Sequence, residues 1–323
     1  GPRNVSDLIY LEKMYEAGVQ GNFDIMGVMA YGLWTGPYDL RTSRDRTNFS
    51  RVQLLREIMV RHGDANKPMW AAEVGWNALP DDLAITPTYG RVSEAQQATY
   101  TVEAYQRAAR QFPWMGVMNY WFFRRPSDAE KNQAWYYFRM AEPDFTTLPV
   151  YDALSALAHE EPAVYTGYYQ EDHWALHYTG PWEHQSDASA VLGEYALGQD
   201  GATLDLTFVG PELALVLRDA GQADHLKISM DGKQVHPSRI WQDPATGAPA
   251  ITVAAPASWR GPRNTAHQVH LEITGGPVGL DGLIVPPARA PWQGWLHGIA
   301  GVGILALAFT RYRRAAFSEH AHE

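Results

Sequence analysis

Apolar residues recur at helical spacing over residues 6–19, where Leu8, Leu11, Met14 or Tyr15, and Val19 share one face, with Asp7 near the start and Gly18 near the end. A mainly apolar run at 23–32 then reads as a strand, and 49–62 returns to helical spacing with Val52, Leu55, Ile58 and Met59 inward. The next strand is 67–77: Pro68 lacks an N–H and suits a first position, Met69 to Ala72 are apolar, and Gly75 is expected to turn the chain away directly after Glu73. Residues 93–111 form a helix capped by Ser93 with Gln96 three residues on, 115–123 a further strand, and 151–159 a closing helix. Helix and strand in strict alternation predict parallel strands joined by right-handed crossovers.

From about Tyr165 the period changes to two. Leu204, Leu206 and Phe208 alternate with polar residues, as do Leu213, Leu215 and Leu217, then Leu226, Ile228 and Met230 before an Asp231-Gly232 hairpin signal. Val269, Leu271 and Ile273 repeat the pattern, so this region is expected to be an antiparallel β-sandwich. Pro286, Pro287 and Pro291 mark a linker into an apolar stretch, with no charge between Arg289 and Arg311. That length reaches the ~20 residues that cross a bilayer, with Trp292 at its start and Arg311, Arg313 and Arg314 after it. The expected organisation is an α/β domain at 1–160, the sandwich at 161–285, a linker at 286–291, one transmembrane helix at 292–310 and a basic, then polar, cytoplasmic tail at 311–323. Gly294 and Gly298 form a small-xxx-small pair that hints at helix association. The chain starts at Gly1 and runs directly into a helix, which reads as the later part of something longer.

Composition narrows the chemistry. An apolar fraction of 46% over 323 residues supports real cores, and a net charge of −10 argues against a nucleic-acid partner. With 12 Trp and 17 Tyr the chain has aromatic faces suited either to thick cores or to stacking on sugars. The absence of cysteine removes disulfides, thiolate catalysis and Cys-ligated metals together. His173, His177 and His184 sit without a carboxylate constellation and read as surface residues; no metal or cofactor is expected. Glu73 is the most informative residue. A carboxylate at the C-terminal mouth of a parallel strand stands where barrel enzymes place their chemistry, although an acidic residue at a strand end is also an ordinary solvated position.

Taken in order, Tyr10-Leu11 through Met14-Tyr15-Glu16-Ala17-Gly18, Phe23-Asp24 through Tyr31-Gly32, Lys67-Pro68 through Glu73-Val74-Gly75-Trp76, and Tyr120-Trp121-Phe122 resemble clan A (β/α)8 glycoside hydrolases, family 39 in particular. The resemblance covers about residues 5–155 and implies the C-terminal portion of a TIM barrel, its last three strands. It makes Glu73 the catalytic nucleophile, Tyr31 the phenol that orients it and Trp121 the indole beneath the sugar being cleaved, with Trp76 and Asn119 as neighbours at the substrate. The sandwich, with Trp174, Tyr178 and Trp182 near its start, is similar to galactose-binding-like carbohydrate modules. The chain departs from the family in two places. Met29-Ala30-Tyr31-Gly32 stands where many relatives have His-Pro-Tyr-Gly, and the Asn-Glu pair that carries the family's acid/base occurs nowhere. The implied protein is a membrane-anchored, extracytoplasmic retaining glycoside hydrolase acting on a carbohydrate, with its acid/base outside this chain. The expected partners are the lipid bilayer and either other membrane-protein subunits or a chain supplying the missing strands. The alternative is a catalytically inactive scaffold or sugar-binding subunit of a membrane complex.

Overall fold

A computed structural model describes residues 5–244, 246–254 and 265–287. The chain divides into two compact units, one up to Thr166 and one from Gly167. The predicted transmembrane stretch 292–310, its Gly294/Gly298 pair and the tail 311–323 lie outside the described residues, and among those described no helix is long and apolar enough to cross a membrane.

The first unit alternates helix and strand as predicted: α1 (Asp7–Glu16), β1 (Met26–Tyr31), α2 (Val52–Arg61), β2 (Met69–Gly75), α3 (Glu94–Gln111), β3 (Met115–Tyr120) and α4 (Pro149–Ala158). The strands form one sheet in the order β1-β2-β3, and both pairings are parallel. Leu8, Leu11 and Tyr15 of α1, Leu55, Ile58 and Met59 of α2, and Ala104 and Ala108 of α3 pack with Val28, Ala30, Met69, Ala71 and Val74 in a single core. Helices therefore cover one sheet face. The other face is open in the described residues: Met29 is 66% exposed, and Trp70, Ala72, Val117 and Asn119 are also exposed. This explains why the strands mix apolar runs with exposed apolar positions, since only one face has found cover.

Element ends differ from the sequence expectation for local reasons. α1 stops at Glu16 because Gly18 is left-handed, φ 84°. Phe23 to Ile25 precede β1 rather than belong to it, and Phe49–Arg51 is a 3-10 turn leading into α2. Ser93 and Gln96 form the reciprocal capping box, which fixes the start of α3. The strand with Glu73 does not end there: β2 continues to Gly75, so the turn expected directly after Glu73 is absent. Gly75 serves a different purpose, described below.

Among the described residues of the second unit every strand pairing is antiparallel. One sheet has five strands, including Thr203–Val209, Leu226–Met230 and Ala266–Ile273; the other has seven, including Glu194–Gly198, Glu212–Leu217 and Val278–Val285. The sheets face one another: a Cβ on Gly198 would stand 2.3 Å from Ile273 Cδ1 on the opposite sheet. Leu204, Leu206 and Phe208 point inward as the period-two pattern predicted. Asp231 and Gly232, φ 50° and 74°, make the two-residue hairpin joining Met230 to Lys233. The expected alternation of Leu213, Leu215 and Leu217 with polar residues is absent, since Ala214 and Val216 between them are apolar and buried; Val278–Val285 is likewise buried at nearly every position, which is why it escaped the period-two reading.

Candidate active site

The site is built at the carboxyl ends of β1, β2 and β3. In the pairing of β1 with β2 the register skips Ala72, so that Val28 opposes Ala71 and Met29 opposes Glu73. Tyr31, two residues on, opposes Gly75, and from there its phenol hydroxyl donates a hydrogen bond back to Glu73 Oε2. Burial, and next the hydrogen bond to Glu73, raise the Tyr31 pKa far above the ordinary phenol value, so the hydroxyl stays protonated and remains a donor. Glu73 itself is half-buried.

Gly75 lets the surroundings close in. A Cβ there would stand 3.1 Å from the Trp121 carbonyl and 3.2 Å from Phe138 Cδ1. The Phe138 ring meets the Tyr31 ring edge-on, centroids 5.3 Å apart, and so walls one side of the phenol. Phe138 comes from a 3-10 turn, Ala134–Phe138, tied to the exit of β2 by Gln97: its buried amide donates to Trp76 O at 2.7 Å and Tyr137 O at 3.1 Å. Gln97 sits in the first turns of α3, so the Ser93 capping box indirectly fixes the wall behind Tyr31.

Trp121 follows β3 directly, and its backbone N–H donates to Val74 O at 2.9 Å, which places its backbone beside the segment that carries Glu73. It is half-buried, with Phe122 edge-on at 5.7 Å. Asn119 is exposed on β3. Trp76 is placed differently from the sequence reading. It is fully buried in the core between sheet and helices, and its indole N–H donates to Thr35 O at 2.8 Å, so it offers no face to a sugar. The structure thus gathers Tyr31, Glu73 and Trp121 at one rim and uses Trp76 as a support beneath it.

The chain is similar to family 39 glycoside hydrolases. One, from Bacteroides cellulosilyticus WH2, is 15% identical over 81% of this chain and 46% of its own, with a TM-score of 0.34. Another, from Xanthomonas axonopodis pv. citri, is 12% identical over 85% and 60%, TM-score 0.32. A family 51 arabinofuranosidase from the same organism is 11% identical over 86% and 56%, TM-score 0.31. The chain thus spans about half the length of these structures. No family profile matches it, and no curated protein does.

Sequence reasoning missed Phe138. The run Ala134-Trp135-Tyr136-Tyr137-Phe138 is the signal that could have found it, since five consecutive apolar residues in a loop need burial somewhere. In the second unit the three aromatic residues singled out divide. Tyr178 and Trp182 pack edge-on at 4.8 Å, and the Trp182 indole donates to Thr203 O, so both join strands, whereas Trp174 is 70% exposed. His177 and His184 are exposed, but His173 is half-buried between Tyr169 and Trp174, and burial lowers its pKa.

Proposed function

We propose that this chain is the C-terminal part of a retaining glycoside hydrolase acting on β-linked glycosides or polysaccharides. One observation carries the reading: Glu73, near the carboxyl end of a parallel strand, accepts a hydrogen bond from a half-buried phenol on the adjacent strand, whose pKa burial and the Glu73 contact raise. A carboxylate held in this way is aimed as a nucleophile. It attacks the anomeric carbon and forms a glycosyl ester as the leaving oxygen takes a proton from a general acid; water then cleaves the ester, returning the free carboxylate. Retention requires the two carboxyl groups ~5–5.5 Å apart, and the acid/base partner in this reading comes from outside this chain. The open sheet face supports that arrangement. Met29, Trp70 and Val117 expose apolar surface where further barrel strands would pack.

In the same reading the two facing antiparallel sheets form a carbohydrate-binding-like sandwich. Residues 292–310 anchor the protein in a membrane, with the bulk extracytoplasmic and the arginine-rich tail in the cytoplasm. A second reading, a sugar-binding or scaffold subunit without hydrolysis, is favoured by two features. Met29, the register partner of Glu73, occupies the place where many relatives in the family it resembles have histidine, and no Asn-Glu pair is present.

Trapping separates the two. Incubation of the intact membrane-extracted protein with 2-deoxy-2-fluoro glycosides should leave a sugar ester on Glu73, read by peptide mass spectrometry, and Glu73→Gln should abolish both labelling and turnover while the protein still folds. Retained turnover in Glu73→Gln would remove Glu73 from the mechanism, and absence of labelling in the parent would favour the non-hydrolytic reading.

A further inference from the structure

Trp34 is 57% exposed, yet the turn that carries it is held from two sides. Below it, Gly32 lies flush on the Trp76 indole, where a Cβ would stand 2.0 Å from Cε2. At the far end of the turn Thr35 gives its carbonyl to the indole N–H, and its own N–H donates to Gly32 O at 3.3 Å. Leu33, between them, is left-handed, φ 54°, a conformation an L side chain adopts only where its surroundings impose it. What imposes it lies on the neighbouring loop: Gly90, φ 78°, meets the Leu33 backbone so closely that a Cβ would stand 2.4 Å from its carbonyl. The loops that follow β1 and β2 are therefore locked together. Flanking the contact are Trp34 on one loop and Tyr89 on the other.

Tyr89 is 41% exposed, and its ring meets Phe138 edge-on at 6.2 Å. Phe138 in turn meets Tyr31, which holds Glu73. One exposed ring on a protein surface is unremarkable. Here the backbone of both loops is held at the carboxyl rim that also carries Glu73, so the two exposed rings start from fixed points on the chain before any ligand arrives.

We propose that Trp34 and Tyr89 form an aromatic subsite for the pyranose ring next to the one that meets Glu73, so that the ligand is an oligosaccharide and not a simple monoglycoside. The apolar C–H face of the sugar packs on the indole, its hydroxyls stay toward solvent, and the Tyr89 hydroxyl supplies a polar contact at the edge. The location rests on the reading of Glu73 as the sugar-facing carboxylate. The binding itself does not require turnover.

The test uses the full chain carrying Glu73→Gln, titrated with xylotetraose, cellotetraose, mannotetraose and laminaritetraose by calorimetry and by intrinsic tryptophan fluorescence. At least one should bind with a blue shift of the emission. Adding Trp34→Ala should weaken it about tenfold or more and remove the shift, Trp34→Phe should stay within about threefold, and Tyr89→Ala should weaken it by several-fold. The thermal transition should not move in Trp34→Ala and should fall only slightly in Tyr89→Ala, whose ring also meets Phe138, and Tyr10→Ala, an exposed ring on α1, should leave binding unchanged. Binding by none of the four sugars, or equal affinity in Trp34→Ala and Tyr89→Ala, overturns the proposal. Labelling of Glu73 together with unaltered binding in these variants removes the subsite and leaves the hydrolase. Binding lost in Trp34→Ala without any labelling of Glu73 keeps the subsite and removes the hydrolase.

Discussion

At the scale of single residues, the chemistry depends on one hydrogen bond. Glu73 and Tyr31 are 42 positions apart, and parallel pairing with a skipped Ala72 brings them together. Tyr31→Phe removes the donor and keeps the ring that packs on Phe138, so stability should change little. A hydrogen bond to a charged group is worth about 1.5–3 kcal/mol, so kcat and the rate of trapping by a fluoro glycoside should both fall about 10- to 100-fold. Unchanged labelling kinetics would mean that Glu73 is aimed by something else. The type of residue at both positions was legible in the sequence, as was their place toward the carboxyl ends of strands, although β2 runs two residues past Glu73. The fate of Trp76 was not, because an indole beside a catalytic carboxylate and an indole in a core look the same until burial is known. Its value to the site is indirect: it carries the Gly32–Thr35 turn on its ring.

At the scale of elements, helical spacing and caps placed α1 to α4 well, since a ring of apolar positions at period 3.6 and a Ser-x-x-Gln box are local signals. What joins the elements was less visible. Asp64, just beyond α2, accepts a hydrogen bond from the Tyr15 hydroxyl of α1 at 2.8 Å and pairs with Lys67 at 3.1 Å, while being nearly buried. Burial pushes its pKa up, but the Tyr15 and Lys67 contacts outweigh that and the net shift is downward. A carboxylate whose folded pKa lies below its unfolded value of about 3.9 contributes stability above that pH, and the contribution is lost as pH falls through the folded value. The stability of the first unit against urea should therefore fall as pH drops below about 4, and Asp64→Asn should flatten that dependence. An identical slope in the variant would mean that Asp64 titrates alike in both states.

At the scale of the whole molecule there are two units with different logic, helices on a parallel sheet and sheet against sheet, each with its own core. In the second, Asp281 is fully buried within Val278–Val285; it accepts the Val191 N–H at 2.8 Å and pairs with Arg218 at 2.8 Å. Removing the charge from a buried pair costs about 3–5 kcal/mol, and Arg218 also reaches Asp187 at 3.1 Å, so Asp281→Asn should cost about 3 kcal/mol. Calorimetry should show one transition lowered and the one belonging to the first unit unmoved; a shift of both would mean that the units unfold together. The sequence by itself determined the alternation of helix and strand before about residue 160, the change to period two after it, and the carboxylate, phenol and indole available at strand ends. Those are properties of local spacing and side-chain chemistry, and they do not depend on neighbours far along the chain. The tertiary structure decided the rest: the register skip that joins Tyr31 to Glu73, the sinking of Trp76 into the core, the closure of Phe138 over Gly75 and the clamp of Gly90 on Leu33. Each of these is a contact between distant segments, fixed by packing and backbone pairing that no local pattern encodes.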